Sequence, residues 1–184
     1  RSMCAPMTDG AGAIILCHKD ALSRFERKRA VRIRAAQITT GSGRGLKDLE
    51  RMPGRLAARR AYEQAAIDPK DISVAEVHDA SSYGEVKQVE NMMLCEEGKG
   101  GWMAESGESA LGGRCPVNPS GGLISKGHPI AATGAIQIHE LVTQLRGEAG
   151  KRQVEGARFG AAENGGGFYD GEEAIAAVTI LERP

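Results

Sequence analysis

Two hydrophobic periods alternate along the chain, and together they predict most of its elements. The turn Thr8-Asp9-Gly10-Ala11-Gly12-Ala13 feeds a wholly apolar run, Ile14-Ile15-Leu16-Cys17, which predicts a buried strand at the start of the chain. Lys19 to Arg29 is charged and predicts a surface helix around Ala21, Leu22 and Phe25. Val31, Ile33 and Ala35 alternate with Arg32 and Arg34, the period of a half-buried strand, which ends before Gly41-Ser42-Gly43-Arg44-Gly45. Pro53 opens a helix with Ala58, Ala61, Tyr62, Ala65 and Ala66 on one face and Arg55, Arg59 and Glu63 off it. Asp68-Pro69 stops that helix, and Ile72 to Val77 reads as a short strand. The polar cluster His78-Asp79-Ala80-Ser81-Ser82 separates it from a helix carrying Tyr83, Val86, Val89 and Met93.

From Gly98 to Gly127 no period survives, and glycine recurs throughout, as expected of a long functional loop whose lone tryptophan, Trp102, could anchor it by packing. Gly134, Ile138, Leu141, Val142 and Leu145 restore helical spacing, so a helix is expected from Pro129 to about Leu145. Ala157 to Ala162 reads as a strand running into a glycine turn at Glu163-Asn164-Gly165-Gly166-Gly167, and Ala174 to Leu181 as a central buried strand. Strands alternating with helices predict an α/β layered domain with at least one sheet covered on both faces.

Composition narrows the class. The 184 residues can bury a full core, and Lys+Arg and Asp+Glu balance at 24 each, which gives no support for a nucleic-acid partner. No apolar run approaches membrane-spanning length and no signal-peptide pattern opens the chain, so the expectation is a soluble, cytoplasmic protein. Cys4, Cys17, Cys95 and Cys115 are widely spaced, with no zinc-ligand pattern, and read as free thiols.

The densest chemistry lies in Asn118-Pro119-Ser120-Gly121-Gly122-Leu123-Ile124-Ser125-Lys126-Gly127-His128-Pro129, continuing to Gly134. A histidine held at the positive end of a helix stays neutral, able to accept a proton or to bind an oxyanion through its own N–H. His78, just past a strand end where open α/β sheets place ligands, is the second candidate.

Three segments, Val77-His78-Asp79-Ala80-Ser81, the run from Asn118 to Gly134 and Glu163-Asn164-Gly165-Gly166-Gly167, resemble the three C-terminal motifs of the thiolase superfamily. The resemblance is to the sterol-carrier-protein type and to thiolase-like lipid-transfer proteins, in which the first motif carries His-Asp. It implies a thiolase-like layered fold, α/β/α/β/α in the full enzyme, of which residues 1–29 would close the N-terminal half and residues 30–184 form the C-terminal domain.

By the same resemblance, His128 activates a nucleophilic cysteine and helps bind the thioester oxygen, and His78 holds an oxyanion or a water at the same centre. Glu163 stands where most thiolases carry cysteine and the sterol-carrier branch histidine, and is the candidate acid/base. Ser120, Gly121, Asn164, Gly165 and Gly166 would contact substrate or coenzyme A, with Tyr83 and Tyr169 as further acid/base candidates. The nucleophilic cysteine of thiolases matches none of the four here and would come from the N-terminal half.

Three functions follow as expectations. The first is carbon–carbon bond cleavage or formation on an acyl-CoA thioester, by thiolysis of a 3-oxoacyl-CoA as in lipid β-oxidation. The second is a thiolase-like retro-aldolase on a 3-hydroxyacyl-CoA, and the third a non-catalytic CoA-binding scaffold subunit. Coenzyme A enters as a substrate, with no metal. Implied partners are a second thiolase-fold copy, the N-terminal thiolase half and a DUF35 protein with zinc-binding and oligonucleotide-fold parts.

Overall fold

A computed structural model describes residues 3–45, 47–169 and 173–183. Its frame is a four-stranded sheet of β1 (Arg32–Thr40), β2 (Ile72–Glu76), β3 (Phe159–Gly166) and β4 (Ile175–Glu182), in the order β1-β4-β3-β2. β4 runs antiparallel to both neighbours, while β2 and β3 are parallel.

Helices cover both faces. α1 (Pro53–Ala65) lays Ala57, Ala58, Ala61, Tyr62 and Ala65 on one side, and small side chains let a helix approach a sheet closely. α2 (Ser82–Asn91) and the short α3 (Gly100–Glu105) join the same core through Val89 and Met103, against Ala161, Val178 and Ile180 of the sheet. On the opposite face α5 (Thr133–Arg146) buries Leu141 and Leu145 against Val74, Ala162 and Leu181. Strands buried on both faces read as continuous apolar runs, which explains the pattern of residues 174–181.

Several expectations are corrected. Ile14, Ile15 and Leu16 form no strand and are exposed. Lys19 to Arg29 folds as two short 3-10 turns, Lys19–Arg24 and Arg27–Arg29. In β1 the register slips between Ile33 and Ala35, so Ile33 faces out while Ala35 is buried, a bulge that the alternation concealed. Ala66 lies past the last turn of α1, left-handed at φ 55° and exposed. The stretch from Gly98 to Gly127 holds two helices, α3 and α4 (Gly122–Lys126), too short for a period to register. Trp102 is 63% exposed rather than packed as an anchor for the loop. Glu163 to Gly166 continue strand β3 rather than turning. Finally, α5 begins at Thr133 and not at Pro129, because Ala131 adopts φ 73° and interrupts helical backbone.

Candidate active site

Parallel pairing brings the ends of β2 and β3 to one edge of the sheet, with Glu76 opposite Ala162. His78 and Glu163 therefore emerge side by side. The chain leaving β2 then fastens the loop that carries His128. Val77 N–H donates to Asn118 Oδ1 at 2.8 Å, and Asn118 N–H donates to the Ala75 carbonyl at 2.8 Å. Glu76, 1% exposed, accepts the Ser120 N–H at 3.2 Å and the Ser120 hydroxyl at 2.7 Å. Lys126 Nζ donates to Ser120 Oγ at 2.5 Å and lies 3.8 Å from Glu76 Oε2. Burial raises the Glu76 carboxyl to about 7, against the lowering effect of Lys126 and Ser120. Asp79 accepts the N–H groups of Leu123 and Ile124 at 2.7 and 3.3 Å, at the start of α4. Gly122, at φ 61°, has no room for a side chain, since a Cβ there would lie 2.1 Å from Asp79 Oδ2.

Beyond α4, Gly127 turns at φ 94° with Thr8 packed on its Cα. The extended N-terminal segment then grips the next residue from both sides: His128 N–H donates to the Pro6 carbonyl at 2.8 Å, and Thr8 N–H to the His128 carbonyl at 3.4 Å. The His128 ring is held through Nδ1, 2.8 Å from Thr133 Oγ1 at the first residue of α5. Its Nε2 faces His78 Nε2 at 3.4 Å, with ring centroids 5.0 Å apart and planes inclined by 60°. Burial, and then the nearby His128, push His78 down to about 4 against the favourable Gly165 backbone, so His78 is neutral at physiological pH.

Glu163 is fully buried. Its Oε2 accepts the His78 N–H at 3.1 Å, while Oε1 has no hydrogen-bond partner among the described residues. Burial first and the Glu173 charge second hold its carboxyl well above the usual range, opposed by the His78 N–H, a setting that favours the neutral acid. Glu173 lies against Gly165, whose added Cβ would meet Glu173 Oε1 at 1.8 Å, and Gln88 Nε2 donates to that oxygen at 2.7 Å. Asn164 Nδ2 donates to Gln137 Oε1 at 2.9 Å, and Gln137 Nε2 donates to the Glu163 carbonyl at 2.8 Å, tying β3 to α5.

The three motif residues His78, His128 and Glu163 thus meet around the His78 peptide and ring. Tyr83 and Tyr169 are each 71% exposed. Ser120 spends its hydroxyl on Glu76 and Lys126, Gly121 is an exposed left-handed residue at φ 97°, and Gly165 and Gly166 close β3. Sequence reading passed over Glu76, Thr133, Gln137, Glu173 and the segment from Pro6 to Thr8. Only Thr133, inside the motif run, carried a local signal; the others depend on long-range placement. Burial pushes the Cys95 and Cys115 thiols up to about 11, which makes them poor nucleophiles. Chemically, two imidazoles aimed at one point, beside a neutral acid, can take up a proton and hold an oxyanion.

A family profile described as Thiolase C-terminal domain-like matches residues 35–183. Sterol carrier protein 2 of Oryctolagus cuniculus is 45% identical over 168 residues, covering 88% of this chain and 31% of that protein. Acetyl-CoA acetyltransferase of Methanothermobacter thermautotrophicus is 44% identical over 183 residues, covering 98% of this chain and 46% of that protein. The chain thus spans less than half the length of these relatives. Among solved structures, the Ltp2-ChsH2(DUF35) aldolase matches with a TM-score of 0.64 at 22% identity, over 80% of this chain and 38% of the other. Fold and matched span agree: the chain belongs to the thiolase superfamily as a C-terminal domain.

Proposed function

We propose that this chain is the histidine-bearing half of an active site that cleaves or forms carbon–carbon bonds on acyl-CoA thioesters, by thiolysis of a 3-oxoacyl-CoA. The convergence of His78 Nε2 and His128 Nε2 at 3.4 Å carries the reading. A cysteine supplied from outside residues 1–184 gives its proton to the histidine pair and attacks the 3-oxo carbon. The oxyanion that forms is held by imidazole N–H groups, a term that is worth about 100- to 1000-fold per donor. As the C2–C3 bond breaks, C2 of the departing thioester needs a proton. Glu163 is the acid we assign to it, since burial raises the pKa of its carboxyl and Oε1 has no hydrogen-bond partner among the described residues. The thiol of coenzyme A then displaces the acyl group from the cysteine.

The test is turnover of a 3-oxoacyl-CoA by the full-length protein carrying His128→Ala or His78→Ala. Losses of at least about 100-fold are expected. Unchanged rates would instead make the chain a CoA-binding scaffold.

A second reading is favoured by the exposure of Tyr83 and Tyr169 and by the fold shared with an aldolase. In it, the site cleaves a 3-hydroxyacyl-CoA with a tyrosine as the base and no acyl-enzyme. Tyr83→Phe and Tyr169→Phe should then abolish aldol cleavage while sparing thiolysis. On the same likeness a DUF35 protein and a second thiolase-fold copy are the partners to seek by co-purification.

A further inference from the structure

A second carboxyl stands beside Glu163 on the same face of the sheet. β3 pairs with β4 without a slip from Phe159 to Gly166, so residues 163 and 165 direct their side chains to one face, about 7 Å apart. Gly165 leaves its side-chain space to Glu173. A Cβ on Gly165 would lie 1.8 Å from Glu173 Oε1, 2.5 Å from its Cδ and 3.2 Å from its Oε2. Gln88 holds the carboxyl there: its Nε2 donates to Glu173 Oε1 at 2.7 Å. Gln88 Oε1 accepts from Asn91 Nδ2 at 2.9 Å, which turns the N–H end of the Gln88 amide toward Glu173. Gln88 and Asn91 are both buried. Because Glu163 Oε2 accepts the His78 N–H, the acid proton of Glu163 belongs on Oε1.

The other charges around the pair are engaged elsewhere. From α2, Lys87 lies 3.2 Å from Glu90 Oε2 and also bonds Glu97, while Glu85 accepts Asn118 Nδ2 at 3.2 Å. From α5, the neutral Gln137 meets only the Glu163 carbonyl, and the end of β2 presents the His78 peptide. Among the described residues Glu173 is the charge that bears on the Glu163 carboxyl.

We propose that Glu173 is a positioning residue that acts through Glu163: seated in the side-chain space of Gly165 and oriented by Gln88, its negative charge holds the acid proton on Glu163 until C2 takes it and draws the coenzyme A thiol proton back afterwards. This deepens the thiolase reading and rests on it. As the C2–C3 bond breaks, its electron pair takes the Glu163 proton and forms the C2–H bond, leaving two carboxylates side by side. Like charges so close disfavour that state. When the coenzyme A sulfur bonds to the acyl carbon, the cysteine sulfur leaves and recovers the proton that the histidines took from it. The thiol proton passes to Glu163, which restores the pair. A lone carboxylate is a weak base toward a thiol, whose pKa is about 8.5, and a second negative charge narrows that gap.

The test follows the Glu163 side-chain carboxyl carbon by 13C NMR across pH in the full-length protein, with the resonance assigned from Glu163→Gln, and sets it beside the pH profile of kcat for thiolysis. Glu173→Gln should lower the Glu163 titration midpoint by about one pH unit or more, since a like charge has gone. The high-pH limb of kcat should move down with it, because thiolysis needs the protonated acid. Above that limb kcat should fall roughly 10-fold with KM within about twofold. Gly165→Ala, whose methyl group evicts the Glu173 carboxyl, should move midpoint and limb in the same direction; it decides the matter if Glu173→Gln does not fold. A midpoint that stays in place or rises in either variant overturns the proposal, as does a kcat limb that fails to follow the midpoint. If the midpoint moves as stated while His128→Ala and Glu163→Gln leave thiolysis untouched, the carboxyl pair stands and the thiolase reading falls.

Discussion

Glu163 shows how one residue type changes meaning with its surroundings. On the surface a glutamate is ionised at neutral pH; here it has no exposure and sits near a second carboxyl, and the ionised form is the costly one. Its folded-state pKa is raised above the unfolded value, so the associated stability is complete below the ordinary carboxylate range and is lost as pH rises through the folded pKa. Glu163→Gln cannot ionise. Its Tm should gain on the wild type as pH rises above the ordinary carboxylate range, and a Tm difference that stays constant with pH would contradict a buried acid of raised pKa. In turnover the same variant should lose on the order of 100-fold in kcat, because an amide cannot deliver a proton to carbon. That a glutamate stands in the third motif was legible from sequence. That its carboxyl accepts the His78 N–H and lies near the Glu173 charge was not, since those groups come from separate parts of the chain.

At the level of elements, the end of β2 acts as a clamp on the loop from Asn118 to His128. Glu76, the Val77 N–H and Asp79 each hold one point of it, and His78 stands among them. The His-Asp pair was visible in the sequence as chemistry, yet its aspartate serves geometry: it caps the first N–H groups of α4. Asp79→Ala should therefore destabilise the fold by about 1–2 kcal/mol and also lower kcat, because freeing α4 lets His128 drift from His78. Thermal unfolding and steady-state kinetics on one preparation would separate the two effects. Glu76 adds a pH signature. Its carboxyl is raised from 4.5 to about 7, so its stabilisation is full below about pH 4.5 and fades as pH passes 7. Glu76→Gln should flatten the wild-type loss of stability in that window. A wild type that becomes more stable from pH 5 to pH 8 relative to the variant would show that Lys126 outweighs desolvation.

For the whole molecule, the layered α/β class followed from period alone, because residues 53–65 and 133–146 bury helical faces and residues 174–181 form an apolar run broken only by Thr179. Strand order did not follow, since the parallel pairing of β2 with β3 joins residues 72–76 to residues 159–162, and no local pattern encodes so distant a partner. The same topology gathers both histidines and Glu163 at one sheet edge. Cys115 is buried in the main core and Cys95 is part-buried, both with raised pKa values, while Cys4 and Cys17 are exposed on the N-terminal segment. Cys4 needs particular scrutiny, because it bridges Ser81 beside the site. If the nucleophile lies outside these residues, the full-length protein with Cys4→Ser, Cys17→Ser, Cys95→Ser and Cys115→Ala should turn over within about threefold of the wild type, since no group that meets the reacting atoms has changed. Its Tm should fall through the small cavity left by the Cys115 sulfur, a loss of about 1 kcal/mol. Iodoacetamide should inactivate the substituted and wild-type proteins at the same rate, and acyl-CoA should protect both. Resistance of the substituted protein to the reagent, or loss of its turnover with the fold intact, would put the nucleophile among these four cysteines, with Cys4 the first to restore.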